Sequence, residues 1–189
     1  MPIQRPANAG RFFYTQRFFS RPPGGIMPAM KLHTVQIALG ANLGNCLQTL
    51  QAALEMLRAH PKINLLRIAG FQQTAPVGGP ANQPPYLNSA ATLETSLSPA
   101  ELLRELNKIE TALGRDRAKE ERFGPRTCDL DILLFDEQKI DTPELTIPHP
   151  RMHERQFVLC PLSEIAPDAI HCTTGKTIAQ LLADLEAQK

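Results

Sequence analysis

Apolar residues recur with the period of a strand or a helix along most of the chain after residue 31. Residues 33–40 (HTVQIALG) are rich in β-branched and apolar side chains and end at Gly40, which predicts a first strand. Residues 45–60 carry four leucines at helical spacing behind Asn45, which is a candidate N-cap. The pattern therefore begins as a strand followed by an amphipathic helix.

Two further strands and a loop follow this helix. Residues 62–74 (KINLLRIAGFQQT) predict a second strand with a bend at Gly70, and residues 86–95 (YLNSAATLET) predict a third. Residues 75–85 between them are rich in proline and glycine and predict a loop.

The clearest helical signal lies at residues 98–114. Ser98 and Glu101 form an S-x-x-E capping box, with a proline at the first helical position. A polar loop at 115–126 leads into a fourth apolar strand, TCDLDILLF at 127–135, and short strands with a helix at 177–187 complete the tail.

The order β-α-β-β-α-β is that of a ferredoxin-like α+β fold, an antiparallel sheet with helices on one face, here with a C-terminal extension. We expect the other face of the sheet to be free for ligands or added elements. Residues 31–189 are predicted to form a single domain. Residues 1–30 contain four arginines and no acidic residue, and we interpret them as an extension without chemistry; an organellar transit peptide is the alternative.

Composition excludes several classes of protein. The net charge of +1 argues against a general nucleic-acid-binding protein, and no apolar run approaches the roughly 20 residues of a membrane span. The four scattered cysteines contain no C-x-x-C, which favours reduced thiols in a cytoplasmic protein. A long apolar edge or coiled-coil pattern is absent from the sequence, which favours a monomer.

Two aspartates begin the fourth strand. Asp129 and Asp131 lie at positions i and i+2 and project from one side, while Leu130 and Ile132 project from the other, toward the helices. Adjacent carboxylates repel each other unless a cation joins them, and Mg²⁺ prefers carboxylate and phosphate oxygens. The alternative is a pair of solvated aspartates at the start of a strand.

Basic residues surround this pair. The loop GRDRAKEERFGPR at 114–126 supplies Arg115, Arg117, Lys119, Arg122 and Arg126, which suits a phosphate clamp beside a metal, although a solvated, charge-mixed loop is the alternative. The chain contains no G-x-x-x-x-G-K-S/T, so the site would not be a P-loop.

Aromatic and basic residues suggest two further groups. Tyr86 and Asn88 share one face of the third strand, where an aromatic ring beside an amide can stack on a flat heterocycle and read its edge. Taken by itself, the tyrosine is more typical of packing at a sheet edge. His149 and Arg155 precede Phe157 in a segment, 148–167, that is interpreted as too polar to be core. An H-x₃-H spacing at 149–153 is a second candidate metal site.

Four motifs together resemble the 6-hydroxymethyl-7,8-dihydropterin pyrophosphokinases of folate biosynthesis: ALGANLGN, TAPVGGPANQPPYLN, GPRTCDLDILLFD and IPHPRMHERQFVLCPL. The resemblance extends from Thr34 to the C-terminal helix. It implies a ferredoxin-like fold and transfer of the β,γ-diphosphate of ATP to the hydroxymethyl group of the dihydropterin, with release of AMP.

The resemblance also implies a role for particular residues. Two Mg²⁺ ions would be held by Asp129 and Asp131, and the catalytic residues would be Arg115, Arg126 and Asp131. The dihydropterin would be bound by Thr74, Val77, Gly78, Tyr86, Asn88 and Phe157. ATP would be bound by Glu110, Arg117, Arg122, Ile132, Leu145, Thr146, His149 and Arg155.

Two other functions fit part of the pattern. A palm-type nucleotidyl transferase also uses paired aspartates and two metals on a ferredoxin-like sheet, and it would release pyrophosphate. A non-catalytic binding module with this fold would show no ATP turnover. A heterocycle site at Tyr86, Asn88 and Phe157 disfavours both.

Overall fold

A five-stranded antiparallel sheet lies at the centre of the fold. The computed structural model describes residues 31–118, 121 and 123–188. The predicted extension at 1–30 therefore lies outside the described residues. The strands of the sheet are β1 (His33–Ala41), β2 (Ile63–Ile68), β3 (Gln72–Thr74), β4 (Tyr86–Thr95) and β5 (Asp129–Phe135).

In the described part of the chain, four α-helices, a 3-10 turn at Met152–Glu154 and four short strands accompany this sheet. The helices are α1 (Cys46–Ala59), α2 (Pro99–Ala112), α3 (Gln156–Ile165) and α4 (Ile178–Ala187). The short strands form two hairpins, β6 (Ile140–Asp141) with β7 (Thr146–Ile147) and β8 (Ile170–His171) with β9 (Lys176–Thr177). None of the helices in the described part of the chain is both long and apolar enough to cross a membrane.

The order of the strands is β2-β4-β1-β5, with β3 added along β4. All pairings are antiparallel, so the predicted ferredoxin-like α+β fold is confirmed. The predicted second strand is divided into β2 and β3, because the chain leaves the ladder at the bend expected near Gly70.

Strand β1 brings the ends of β4 and β5 together. Gly40 in β1 pairs with Asn88 in β4 on one side and with Asp129 in β5 on the other. A Cβ atom at Gly40 would lie 3.1 Å from the Asn88 Oδ1 atom, so the absent side chain lets the amide approach the strand. The central strand thus places a polar amide and a carboxylate on neighbouring strands at one end of the sheet.

Helices α1 and α2 cover one face of the sheet. Their leucines pack with apolar residues of β1, β4 and β5 in a single core, and Leu130 and Ile132 are 2% and 3% exposed within it. The predicted side-chain directions in β5 are therefore confirmed for the apolar residues. The predicted capping box of α2 is also present, since Ser98 and Glu101 bond each other's backbone.

The opposite face is covered in part by α3 and α4, and here one prediction was wrong. The segment 148–167 was expected to be too polar for the core, yet Val158, Leu159, Leu162 and Ile165 are buried in a second apolar cluster. Most polar residues of the segment precede or begin α3, and two more, Ser163 and Glu164, lie near its end. The apolar residues between them recur at helical spacing. This face is therefore shared between an added helical layer and an open polar end.

Candidate active site

A small cavity of about 40 Å³ lies at the polar end of the second face. That volume holds only a few water molecules. Asp129 and Asp131, at the start of β5, form one side of it. The side chains that surround it also include those of Asn88, His149, Arg155 and Phe157.

Two arginines hold the carboxylate of Asp129. The Nη1 atom of Arg115 donates to Asp129 Oδ1, and the Nη1 atom of Arg126 donates to Asp129 Oδ2, both at 2.5 Å. Arg115 is 7% exposed although it follows α2 in a loop. Burying the Arg115 guanidinium is costly unless anionic partners surround it, and a second carboxylate besides Asp129 contacts it.

That second carboxylate belongs to Glu110, which is 1% exposed near the end of α2. Its Oε1 atom accepts from Arg115 and from the backbone N–H of Leu130, and its Oε2 atom accepts from Arg117. Glu110 thus fixes two arginines and the start of β5. The predicted contact of Glu110 with ATP stays a prediction, since the structure gives its oxygens these protein partners.

Asp131 lies beside these groups. Its burial, and next the nearby Asp129 and Glu110 carboxylates, raise the pKa of Asp131 to about 7 against the opposing effect of Arg126 and Arg155. A bound cation would relieve this repulsion, so the donor set fits a hard divalent ion such as Mg²⁺.

His149 and Arg155 also line the cavity. Burial lowers the pKa of His149 to about 4, and the neighbouring Arg155 and Arg151 guanidiniums act in the same direction. The imidazole is therefore neutral near pH 7 and can donate or accept a hydrogen bond. Burial and Arg151 also lower the pKa of Arg155, whose guanidinium lies 5.6 Å from the centre of the Phe157 ring.

Two of the residues predicted to bind a pterin, Asn88 and Phe157, line this cavity. The Nδ2 atom of Asn88 donates to Thr74 Oγ1 at 2.7 Å, which orients the amide across β3 and β4. Phe157, the second residue of α3, places its ring in the wall. Tyr86 lies two residues from Asn88, and its hydroxyl donates to the backbone oxygen of Gly124 at 2.9 Å.

The other predicted binding residues lie farther from the cavity or are already engaged. Val77 is 71% exposed in the proline-rich loop, beside Gly78. Ile132 is buried in the first core, and Leu145 packs against it next to Thr146 in β7. These contacts stay predictions.

Of the two basic loop residues assigned to ATP, Arg117 is described by the structure and Arg122 is not. The Nη2 atom of Arg117 donates to Asn107 Oδ1 as well as to Glu110. Arg122 lies outside the described residues, as does Lys119. The alternative metal site at His149 and His153 stays a prediction, as does the aspartate site, since the described residues contain no cluster of three or more His, Cys, Asp or Glu that could hold a metal ion.

Sequence reasoning missed a polar link among the loops. Asn42, which is 3% exposed, accepts at Oδ1 from the Arg126 backbone N–H at 2.7 Å and donates through Nδ2 to Gln83. Gln83 in turn donates to the backbone oxygen of Phe123 at 3.0 Å. The proline-rich loop and the arginine loop are thereby joined, and only the position of Asn42 directly after a strand could have suggested a role.

Comparison with known proteins gives this site a family context. Residues 36–167 match the profile of a family described as 7,8-dihydro-6-hydroxymethylpterin-pyrophosphokinase (HPPK). A Pseudomonas aeruginosa protein named 2-amino-4-hydroxy-6-hydroxymethyldihydropteridine pyrophosphokinase is 43% identical over 152 residues, covering 80% of this chain and 91% of that protein. A Bacillus subtilis protein of the same name is 47% identical over 129 residues, covering 68% of this chain and 75% of that protein.

A solved structure shows the same fold. The crystal structure of wild-type Plasmodium falciparum HPPK-DHPS with pterin and p-hydroxybenzoate matches with a TM-score of 0.66 and 14% sequence identity. The match covers 86% of this chain and 45% of that chain, so the present chain spans less than half of that longer protein.

Proposed function

Because the chain belongs to the 7,8-dihydro-6-hydroxymethylpterin-pyrophosphokinase family, we propose that the cavity between β5, β4 and α3 is the active site of an ATP-dependent diphosphokinase. The enzyme transfers the β,γ-diphosphate of ATP to the hydroxymethyl group of 6-hydroxymethyl-7,8-dihydropterin and releases AMP. The assignment of residues rests on the composition of the cavity. Its wall combines the carboxylates of Asp129 and Asp131 with the guanidinium of Arg155, the amide of Asn88 and the ring of Phe157.

Asp129 and Asp131 are the proposed magnesium ligands. Their oxygens are the ligand type that Mg²⁺ prefers, and the raised pKa of Asp131 reflects its burial and, next, the charge of the neighbouring Asp129. When bound, two Mg²⁺ ions would supply charge neutralisation on the phosphate oxygens of ATP.

Arg115 and Arg126 are the proposed stabilisers of phosphate charge. Both guanidiniums lie within hydrogen-bonding distance of Asp129, so they reach the place where a polyphosphate would approach the carboxylates. Forked donors held in advance stabilise charge that develops during phosphoryl transfer. Arg155 and neutral His149 also line the cavity and offer further donors to phosphate oxygens.

The acceptor is proposed to lie against Phe157 and Asn88. One N–H of the Asn88 amide is used by Thr74, which leaves its second N–H and its oxygen for the edge of a heterocycle. In this position the hydroxymethyl oxygen would face the carboxylate pair. It forms the new bond to the β-phosphorus and loses its proton, while the bond from the β-phosphorus to the oxygen of the departing AMP breaks.

The nature of the released nucleotide tests the reaction. The full-length protein is mixed with ATP, Mg²⁺ and 6-hydroxymethyl-7,8-dihydropterin, and the nucleotides are separated. AMP, formed only when the pterin is present, is expected. ADP would contradict diphosphate transfer, and free pyrophosphate would instead support the nucleotidyl transferase.

Monomeric state, cytoplasmic location and a single domain at 31–189 are also part of the proposal. Cys46, Cys128 and Cys172 are free thiols, which supports a reducing compartment. Sedimentation at a catalytic concentration checks the monomer. A chain shortened to residues 31–189 should retain AMP formation if the first 30 residues carry no chemistry, and loss of that activity would refute the domain boundary.

A further inference from the structure

The C-terminal end of α3 is tied to the bend between β2 and β3. Glu164 Oε2 accepts from the backbone N–H of Gly70, and Glu164 Oε1 accepts from Gln72 Nε2, both at 3.0 Å. One residue later, the backbone oxygen of Ile165 accepts from Arg67 Nη1 at 2.9 Å. The helix end therefore holds the chain on both sides of the bend.

Strand β4 fixes the same bend from the other direction. The backbone N–H of Ala69 donates to the oxygen of Ala90, and Ser89 Oγ donates to the oxygen of Ala69 at 3.0 Å. Ala69 is thus tied to the sheet, whereas Gly70 and Gln72 are tied to the helix through one carboxylate. The direction in which β3 leaves the bend depends on Glu164.

Strand β3 determines the environment of the acceptor amide. Gln72 pairs directly with Asn88, and Thr74 at the end of β3 accepts the Asn88 Nδ2 hydrogen bond at 2.7 Å. A shift of β3 would therefore change the orientation of the Asn88 amide, which lines the cavity.

The same helix carries the aromatic wall of the cavity. Phe157 precedes Glu164 by seven residues, so the two side chains lie on one face of α3, about 10 Å apart along its axis. One helix thus bears the ring of the acceptor site at its first turn and holds the strand behind the amide at its last turn.

We propose that Glu164 is a positioning residue for the heterocycle acceptor, setting the separation between the Phe157 ring and the Asn88–Thr74 pair. This inference rests on the proposed function. Glu164 lies on the surface and contacts neither the cavity nor the carboxylate pair, so its effect is transmitted through β3.

Three variants of the full-length protein test this role. Glu164→Ala removes both acceptor oxygens and should raise the KM for the pterin about tenfold, the effect expected for losing charge-assisted hydrogen bonds. The KM for ATP should stay within about twofold. Glu164→Gln should restore most of the pterin affinity, because an amide oxygen still accepts from Gly70 and the Gln72 amide can reverse to pair with the new N–H. Glu55→Ala removes a surface carboxylate paired with Arg58 on α1 and serves as the matched control.

The outcomes separate this proposal from the activity itself. If the wild-type protein forms no AMP from ATP and the pterin, the proposed function fails. If the wild type is active and Glu164→Ala leaves the KM for the pterin unchanged, or raises both KM values equally, Glu164 has no positioning role. The pterin affinity of each variant is measured by fluorescence titration, and its stability by thermal unfolding. Weaker pterin binding with an unchanged thermal midpoint indicates a misplaced acceptor site, whereas a lowered midpoint indicates a destabilised fold.

Discussion

The two faces of the central sheet serve different purposes. On the α1–α2 face, apolar side chains from β1, β2, β4 and β5 and from the two helices form one continuous core. On the α3–α4 face, a second core covers part of the sheet, and the remainder opens to the cavity with its carboxylates and basic groups. Strand β5 shows the contrast within four residues, because Leu130 and Ile132 are buried on the first face while Asp129 and Asp131 face the second.

The difference shows how a small fold combines stability with chemistry. A dry core cannot hold unpaired carboxylates, because burying a charge without a partner costs several kcal/mol, of the order of 3–5. The first face therefore supplies the stability that fixes the strands. The second face places its carboxylates at the margin of a smaller core, where arginines, substrates and ions can reach them.

Replacing a carboxylate of the polar face should have the largest effect. Asp131→Ala removes a proposed metal ligand and should lower kcat at least about 10³-fold, which corresponds to about 4 kcal/mol in the activation free energy. Because Asp131 adds repulsion to the metal-free protein, the variant should keep its circular dichroism spectrum, and its thermal midpoint should not fall. AMP formation is the measurement.

The control for this variant is Asp184→Ala, which removes a surface carboxylate of α4 that pairs with Lys176 in β9. It should retain wild-type turnover. Near-normal kcat in Asp131→Ala would refute the metal role of this residue.

Two leucine variants compare the faces directly. Leu50 on α1 and Leu159 on α3 are both fully buried, and truncation of each to Ala should lower the free energy of unfolding by about 3 kcal/mol. Only Leu159→Ala should also raise the KM for the pterin, because α3 carries Phe157. Urea unfolding and steady-state kinetics measure both effects, and equal KM changes in the two variants would mean that the faces are not functionally distinct.

The pH dependence of stability should show the smallest effect. The pKa of Asp131 is raised in the folded protein, so the folded state binds the proton more tightly, and the stability this provides is lost as the pH rises from about 4 through about 7. In EDTA, the stability of Asp131→Asn relative to the wild type should therefore rise between pH 4 and pH 8, by no more than a few kcal/mol. Urea unfolding at the two pH values measures this, and a pH-independent difference would contradict the raised pKa.

Local sequence signals correctly predicted the elements that carry a capping motif or a clear apolar spacing. Ser98 and Glu101 fixed the start of α2, and the apolar spacing of α1 and β5 determined which side chains are buried. Helix α3 was missed because its buried residues follow a run of charged ones. An average polarity over 148–167 hides an apolar stripe that begins only at Phe157.

The chemical types at the site were also visible in the sequence, but their partners were not. The i, i+2 spacing put both aspartates on one side of a strand, and the resemblance assigned their roles. The pairing of Arg115 with Glu110, and the link from Asn42 through Gln83 to Phe123, join residues that are distant along the chain. Such contacts depend on strand register and helix packing, which local periodicity does not encode.

The sequence by itself determined the order of the elements, the apolar side of each one and the residues able to bind ions, phosphates and a flat ring. The tertiary structure decided which of them meet. Gly40 in the central strand brings Asn88 and Asp129 to its two sides, and Glu164 fastens α3 to the strand behind that amide. The periodic pattern of apolar residues depends only on neighbours within a few positions, so the sequence shows it directly. The site depends on contacts between residues far apart in the chain, which form only when the elements pack.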